Sequence, residues 1–185
     1  MKSQKGDQVA VGSAALLVTE GLSQLFGEHH MRVLKAAYRI TGNMADAEDV
    51  AQVVFLRLAS AHEPVSNAAS YLYRAAINGA LDLLRRRKAA STEPLEGAAG
   101  VASTGPGSSP EGEVSSRELG DFLRMAIAEL APRAAEMFTL RYLEELGNRE
   151  IAALMGTSQA VVAVTLHHAR SRLKKRLREF EWGRR

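Results

Sequence analysis

Apolar positions recur along most of this chain at three- and four-residue steps, the spacing that places side chains on one face of a helix. Leu22, Leu25 and Phe26, followed by Val33, Leu34, Ala37 and Tyr38, predict a helix over residues 16–40, with Gly27 a point at which it could divide. Thr41-Gly42 ends it, and Asn43 opens the next as a cap, with Asp46 three residues on as an aspartate variant of the capping box. Val50, Val54 and Leu58 lie on one face of that second helix, and His62-Glu63-Pro64 stops it. A third helix is predicted from Asn67 to Lys88, with Leu72, Ala75, Ala76, Ala80, Leu83 and Leu84 inward. Gly79 sits in its middle, where glycine costs about 1 kcal/mol relative to alanine. From Ala89 to Ser115 the periodicity vanishes in a stretch rich in Gly, Ser, Ala, Pro and Glu, which reads as a flexible linker.

Periodicity resumes near Ser115, paired with Glu118 as a capping box ahead of Leu119, Phe122, Leu123 and Ile127. Pro132 suits the first position of another helix, which carries Met137, Phe138, Leu140 and Leu143 and runs to Gly147. Asn148 can cap a short helix with Ile151, Leu154 and Met155 on its apolar side. Gly156 permits a turn, and Ser158 caps a longer helix striped by Val162, Leu166, Ala169, Leu173 and Leu177. Residues 148–177 therefore form the pattern of a helix-turn-helix, whose second helix enters the DNA major groove from its N-terminal end. No strand pattern competes. The expected fold is all-α, with two small helical domains (16–88 and 116–185) joined by the linker 89–115 and preceded by a loose tail, 1–15, the second domain holding the helix-turn-helix.

Composition agrees and narrows the function. With 46% hydrophobic and 24% charged residues the chain is an ordinary globular one, and its scarce aromatics, 5%, leave Ala, Leu and Val to fill helical cores. The net charge of +3 is small, but its distribution is uneven: cations gather at residues 85–88 and 170–178, and acids at Asp46, Glu48 and Asp49. The absence of cysteine excludes disulfides, thiolate catalysis and cysteine-ligated zinc. Apolar runs are too short and too interrupted to span a bilayer, so the chain reads as cytoplasmic, without membrane insertion. His29-His30 and His167-His168 are adjacent pairs that point apart on a helix and do not form a metal-ligand spacing. There is no phosphate-binding glycine loop and no nucleophile elbow. No enzyme is expected, and no cofactor or metal.

The third helix combines Tyr71 and Tyr73 with Asn78, Asp82, Arg85 and Arg86. Rings that can stack on bases, polar groups that can read base edges and cations for phosphates suit a single-stranded or melted duplex. Tyrosines and asparagines also populate helical cores and caps, and an arginine run commonly just ends a helix, where the dipole favours it. The acidic start of the second helix has an equally plain reading as a charged first turn, beside its reading as a docking face extended by Gln52 and Phe55.

Taken together these segments resemble the bacterial RNA polymerase sigma factors of the extracytoplasmic-function type. The stretch NMADAEDVAQVVFLRL (Asn43–Leu58) is similar to the family's core-polymerase-binding helix, and the resemblance implies that role for Asp46, Glu48, Asp49, Gln52 and Phe55. YLYRAAINGALDLLRRR (Tyr71–Arg87) resembles the helix that recognises and opens the minus-10 promoter element, which implies DNA contact by Tyr71, Tyr73, Asn78, Asp82, Arg85 and Arg86. Residues 130–177 resemble the domain that reads the minus-35 element, implying contacts by Arg149, Ser158, Gln159, Ala160, Ala163, Val164, His167 and Arg170. The family commonly has cations where Ala163, Thr165 and His168 stand, so an atypical or weakly read minus-35 sequence is expected. The implied partners are core RNA polymerase and promoter DNA, and such factors are often held inactive by an anti-sigma partner. The alternative is a free-standing helix-turn-helix regulator, which leaves the acidic helix and the tyrosine-arginine helix without a task.

Overall fold

A computed structural model describes residues 5–60, 67–92 and 110–182, with side chains over 21–60, 67–90 and 116–182. The described residues form seven helices and no strand: α1 (Lys5–Thr41), α2 (Met44–Ala59), α3 (Ala68–Thr92), α4 (Pro110–Ala128), α5 (Pro132–Tyr142), α6 (Asn148–Leu154) and α7 (Gln159–Trp182). Helices α1, α2 and α3 pack mutually into one bundle, and α4 to α7 build the second unit around α5 and α7. None of the described helices is long and apolar enough to cross a membrane.

Several expected boundaries move. Helix α1 starts at Lys5, so most of the expected tail is helical, and it passes Gly21 and Gly27 unbroken. Alanine and leucine at residues 14–17 favour helix, and a single glycine costs only about 1 kcal/mol against the cooperativity of so long an element. Asn43 caps α2 as expected, its side chain accepting the Asp46 N–H at 3.2 Å. The reciprocal half of the box is not made by Asp46: Thr41 Oγ1 accepts the Asn43 N–H at 3.4 Å, and the Asp46 carboxylate turns inward to Arg87. Asn67 caps α3 through the Ser70 N–H at 2.9 Å, and α3 continues beyond Lys88 to Thr92. The proposed stop at residues 62–64 and most of the linker, 93–109, lie outside the described residues. Because α4 begins at Pro110, Ser115 lies inside a helix and does not cap one.

In the second unit α5 ends at Tyr142, five residues before the glycine expected to end it. Glu145 adopts a left-handed backbone (φ 59°), which lets the Leu146 N–H reach back to the Leu140 carbonyl at 3.0 Å. Gly147, and not Asn148, precedes α6, and its N–H is taken by Glu150 Oε2 at 2.7 Å. A glutamate at the third helical position thus does the capping that Asn148 was expected to do. The turn to α7 runs through Gly156 at φ 59°, and Ser158 caps α7 by accepting the Val161 N–H at 3.2 Å.

The core is aliphatic. Leu72, Ala76, Ile77, Ala80, Leu81 and Leu84 of α3 face Val33, Ala37 and Ile40 of α1 and Val50 and Val54 of α2. Ile77 and Leu81 are fully buried although neither was expected inward, while Leu83 is only half-buried. Gly79 has a packing reason: a Cβ there would lie 3.2 Å from Val50 Cγ1, so the glycine lets α2 cross close over α3. Met137, Leu140, Ile151, Val162 and Leu166 form the equivalent core of the second unit.

Candidate nucleic-acid interface

The acidic helix divides into a buried and an exposed part. Asp46 is 7% exposed and is held by both terminal nitrogens of Arg87, so it ties α2 to α3 and offers nothing to a partner. This corrects its expected place on the docking face, and the reason is the inward turn of the first helical turn over the end of α3. Glu48, Asp49 and Gln52 do face solvent. Phe55 is buried, its ring 4.8 Å from that of Phe26, which stacks on His30 at 4.4 Å. Phe55 is therefore the floor of a groove of about 370 Å³ whose walls include Leu22, Phe26, Gln52 and Leu56. Val53 at 45% and Leu56 at 61% exposure extend the apolar part of that face. Helix α1's share in the groove was not anticipated, because Leu22 and Phe26 fit the core-facing period as well as their neighbours do.

On α3, Tyr71 is partly exposed but Tyr73 is buried. The Arg32 guanidinium carbon lies 4.5 Å from the Tyr73 ring centre, and burial, then the neighbouring Glu144 carboxylate, raise the phenol above its ordinary value of 10.0. Tyr73 is a core residue in this structure, correcting the expectation that it meets a base. Tyr71 and Tyr73 stand two positions apart, and side chains at that spacing on a helix diverge by about 200°, so the two rings cannot serve one surface. Asn78, Asp82 and Arg85 do come together in a cleft of about 350 Å³, whose far wall is Pro132, Arg133, Glu136 and Met155 of the second unit. Arg85 donates from Nη1 to Asp82 at 2.6 Å and from Nε to the Ala128 carbonyl at 2.8 Å. Arg86 opens to a separate small cleft between α2 and α3, where it neighbours Asp49, Arg57 and Asp82.

On the helix-turn-helix, Arg149, Ser158, Gln159, Ala160, Ala163, Val164, His167 and Arg170 all face solvent, while Val162, Leu166, Ala169 and Leu173 point inward. Val161 at 46% and Val164 at 56% exposure make the outer face of the first two turns apolar. Val161 and His168 belong to this face and were not anticipated. The signal for Val161 was its place outside the inward stripe of Val162, Leu166, Ala169 and Leu173, three positions before the exposed Val164.

The chain thus sets a bundle with an acidic and apolar outer face on α2 before a helix-turn-helix whose second helix, α7, begins with an apolar outer face. The model of Sigma-70 region 2 matches residues 25–90, and that of Sigma-70, region 4 matches residues 123–173. The ECF RNA polymerase sigma factor SigW of Bacillus subtilis (strain 168) is 28% identical over 95% of this chain and 93% of its own length. The RNA polymerase sigma-E factor of Streptomyces avermitilis is 31% identical over 78% of each chain. Among solved structures, the sigma factor RpoE in complex with the anti-sigma factor NepR from Bartonella quintana matches at 19% identity and a TM-score of 0.48, over 86% of this chain and 98% of that one. The chain belongs to the ECF-type RNA polymerase sigma factors. It is a transcription initiation factor that directs RNA polymerase to promoters, not a free-standing helix-turn-helix regulator.

Proposed function

We propose that α1 to α3 dock on core polymerase and engage the minus-10 element, and that α4 to α7 read the minus-35 element. The observation that carries this reading is the agreement of two independent family matches with two separate outward faces, one acidic and apolar on α2, one at the N-terminal end of α7. Polymerase contact falls to Glu48, Asp49, Gln52 and the groove over Phe55, with Leu56 as its most exposed apolar residue. Such a groove takes an apolar anchor on the partner, and its acidic border steers a basic partner surface. On α3, Tyr71 is placed to stack on an unpaired base, Asn78 and Asp82 to meet base edges, and Arg85 and Arg86 to neutralise phosphates. On α7, Ala160, Val161, Ala163 and Val164 supply apolar surface suited to thymine methyl groups, while Arg149 and Arg170 reach phosphates. The chain acts in the cytoplasm and performs no chemistry of its own.

The test is transcription by purified core polymerase with this chain on a library of genomic fragments, followed by mapping of start sites. The reading requires a discrete set of starts sharing an upstream pair of elements. Leu56→Glu should abolish co-purification with core polymerase while leaving the melting temperature unchanged, since the residue is mostly solvent-exposed. Starts identical to those of core polymerase alone would refute the reading.

A further inference from the structure

Helix α7 opens with the sequence QAVVAVTLHH, residues 159–168, which holds no lysine, arginine, aspartate or glutamate. Val162 and Leu166 are buried and fix this end of the helix on its core, so the opposite side is set outward. Ala160 and Val164 stand about one turn apart at the centre of that side. Val161 lies beside Val164 at a three-residue step, and His167 and His168 follow in the next turn. The two valines are 46% and 56% exposed. The head of the helix is held by its own cap, Ser158 Oγ accepting the Val161 N–H at 3.2 Å, after the left-handed turn at Gly156.

We propose that this face recognises C5-methyl groups in the major groove and accepts thymine and 5-methylcytosine alike, so that cytosine-5 methylation of the upstream element strengthens the chain's hold on it. The proposal rests on the assignment of α7 to that element, and it names the ligand class: C5-methylated pyrimidines. Burial supplies the apolar part of the recognition. Thymine shows its methyl group in the major groove, where cytosine has only a hydrogen on the same ring carbon. Methylation at C5 gives cytosine the missing group in the same place. A methyl enclosed against Ala160, Val161 and Val164 raises affinity by about fourfold, the factor that one buried methylene supplies.

The polar part follows from what the face lacks. Beside the methyl group thymine offers an oxygen that accepts, and 5-methylcytosine an amino group that donates. A lysine or arginine, which can only donate, would select the first base, and a carboxylate, which can only accept, the second. Neither kind of residue stands between Gln159 and His168. The polar side chains that do face out there, Gln159, His167 and His168, each carry both a donor and an acceptor, so they can meet either base. The same absence removes the two-pronged arginine contact that commonly singles out guanine, which leaves the methyl group as the feature this face reads.

The test uses holoenzyme, core polymerase with the full chain, and one random duplex library amplified in three forms: with thymine and cytosine, with uracil and 5-methylcytosine, and with uracil and cytosine. Bound duplexes are recovered and sequenced. Upstream positions enriched in thymine from the first form should be enriched in cytosine from the second, by about fourfold per methyl group, and should lose their enrichment in the third. The variant Val161→Ser/Val164→Ser should lose enrichment at those positions in every form. It should keep its melting temperature, its capture of core polymerase and the enrichment at the downstream element, since both valines are largely exposed. The proposal is overturned if the second form yields uracil at those positions, if the third is enriched as strongly as the first, or if no upstream position favours thymine. It is overturned too if the variant keeps the parent's enrichment, or if it loses core polymerase, which would assign the valines to a protein contact. Enrichment at the downstream element with none of these methyl effects would leave the sigma-factor reading standing while the methyl reading falls.

Discussion

Two acidic residues three positions apart on α2 have opposite surroundings, and the difference decides what each can do. Asp46 is buried and shared with Arg87, whereas Asp49 faces solvent at the edge of the α2–α3 cleft. Removing Asp46 strips a charged hydrogen-bonding partner from the α2–α3 junction, and Asp46→Ala should lower unfolding free energy by about 1–2 kcal/mol. Asp49→Ala touches no such pair and should stay within about 0.5 kcal/mol of the parent. Chemical denaturation measures the first effect and a polymerase pull-down the second. Asp49→Ala should weaken capture of core polymerase, and Asp46→Ala should weaken it only in proportion to lost stability. Sequence reading alone placed both residues on one acidic surface. The partner that separates them, Arg87, is 41 residues away, and periodicity carries no information about a side chain that far along the chain.

At the scale of the helices, order and type were legible throughout, because the three- and four-residue steps of Val50, Val54 and Leu58 or Val162, Leu166 and Ala169 depend on local geometry alone. Ends were less legible. The α5 terminus depends on Glu145 entering the left-handed region, which is rare for a residue with a side chain, so Gly147 was the natural but wrong place to expect it. Helix α7 is the element where the readable and the unreadable meet. Its inward stripe was evident, and so was the outward place of Val164, but not that Val161 would stand half exposed beside it at the helix start. A face with methyl groups and few cations should bind duplex DNA weakly at moderate salt. Ala163→Lys adds one phosphate contact, so it should raise affinity and steepen the slope of log affinity against log salt by about 0.9. A salt titration of duplex binding measures both. An unchanged slope would mean that this face does not meet DNA. Substituting uracil for thymine in the selected minus-35 sequence should reduce affinity if the valines read methyl groups.

The way the two units sit together was not legible at all, since it depends on pairs such as Arg39 with Glu144 that lie 105 residues apart. Glu129 is the residue through which that packing can be measured. It joins Lys88 of α3 to Arg176 of α7, the latter at 3.1 Å. Burial works to raise its carboxyl, but the hydrogen bond from Lys88 and the charges of Arg176 and Lys88 outweigh it and hold the group below its ordinary value of 4.5. A carboxylate depressed by folding stabilises the folded chain above its unfolded value, and that stabilisation is lost as pH falls through the folded one. The parent should therefore exceed Glu129→Gln in unfolding free energy by about 1 kcal/mol at neutral pH, a modest figure because the cations on either side remain half in water. The gap should narrow as pH drops below about 4.5 and close once the folded carboxyl too has taken up its proton, where both chains carry an uncharged group. Denaturant midpoints of the two proteins across that range measure it. A gap that persists undiminished in acid would assign Glu129 a packing role, and would move the electrostatic hold between the units onto Glu136 and Glu144.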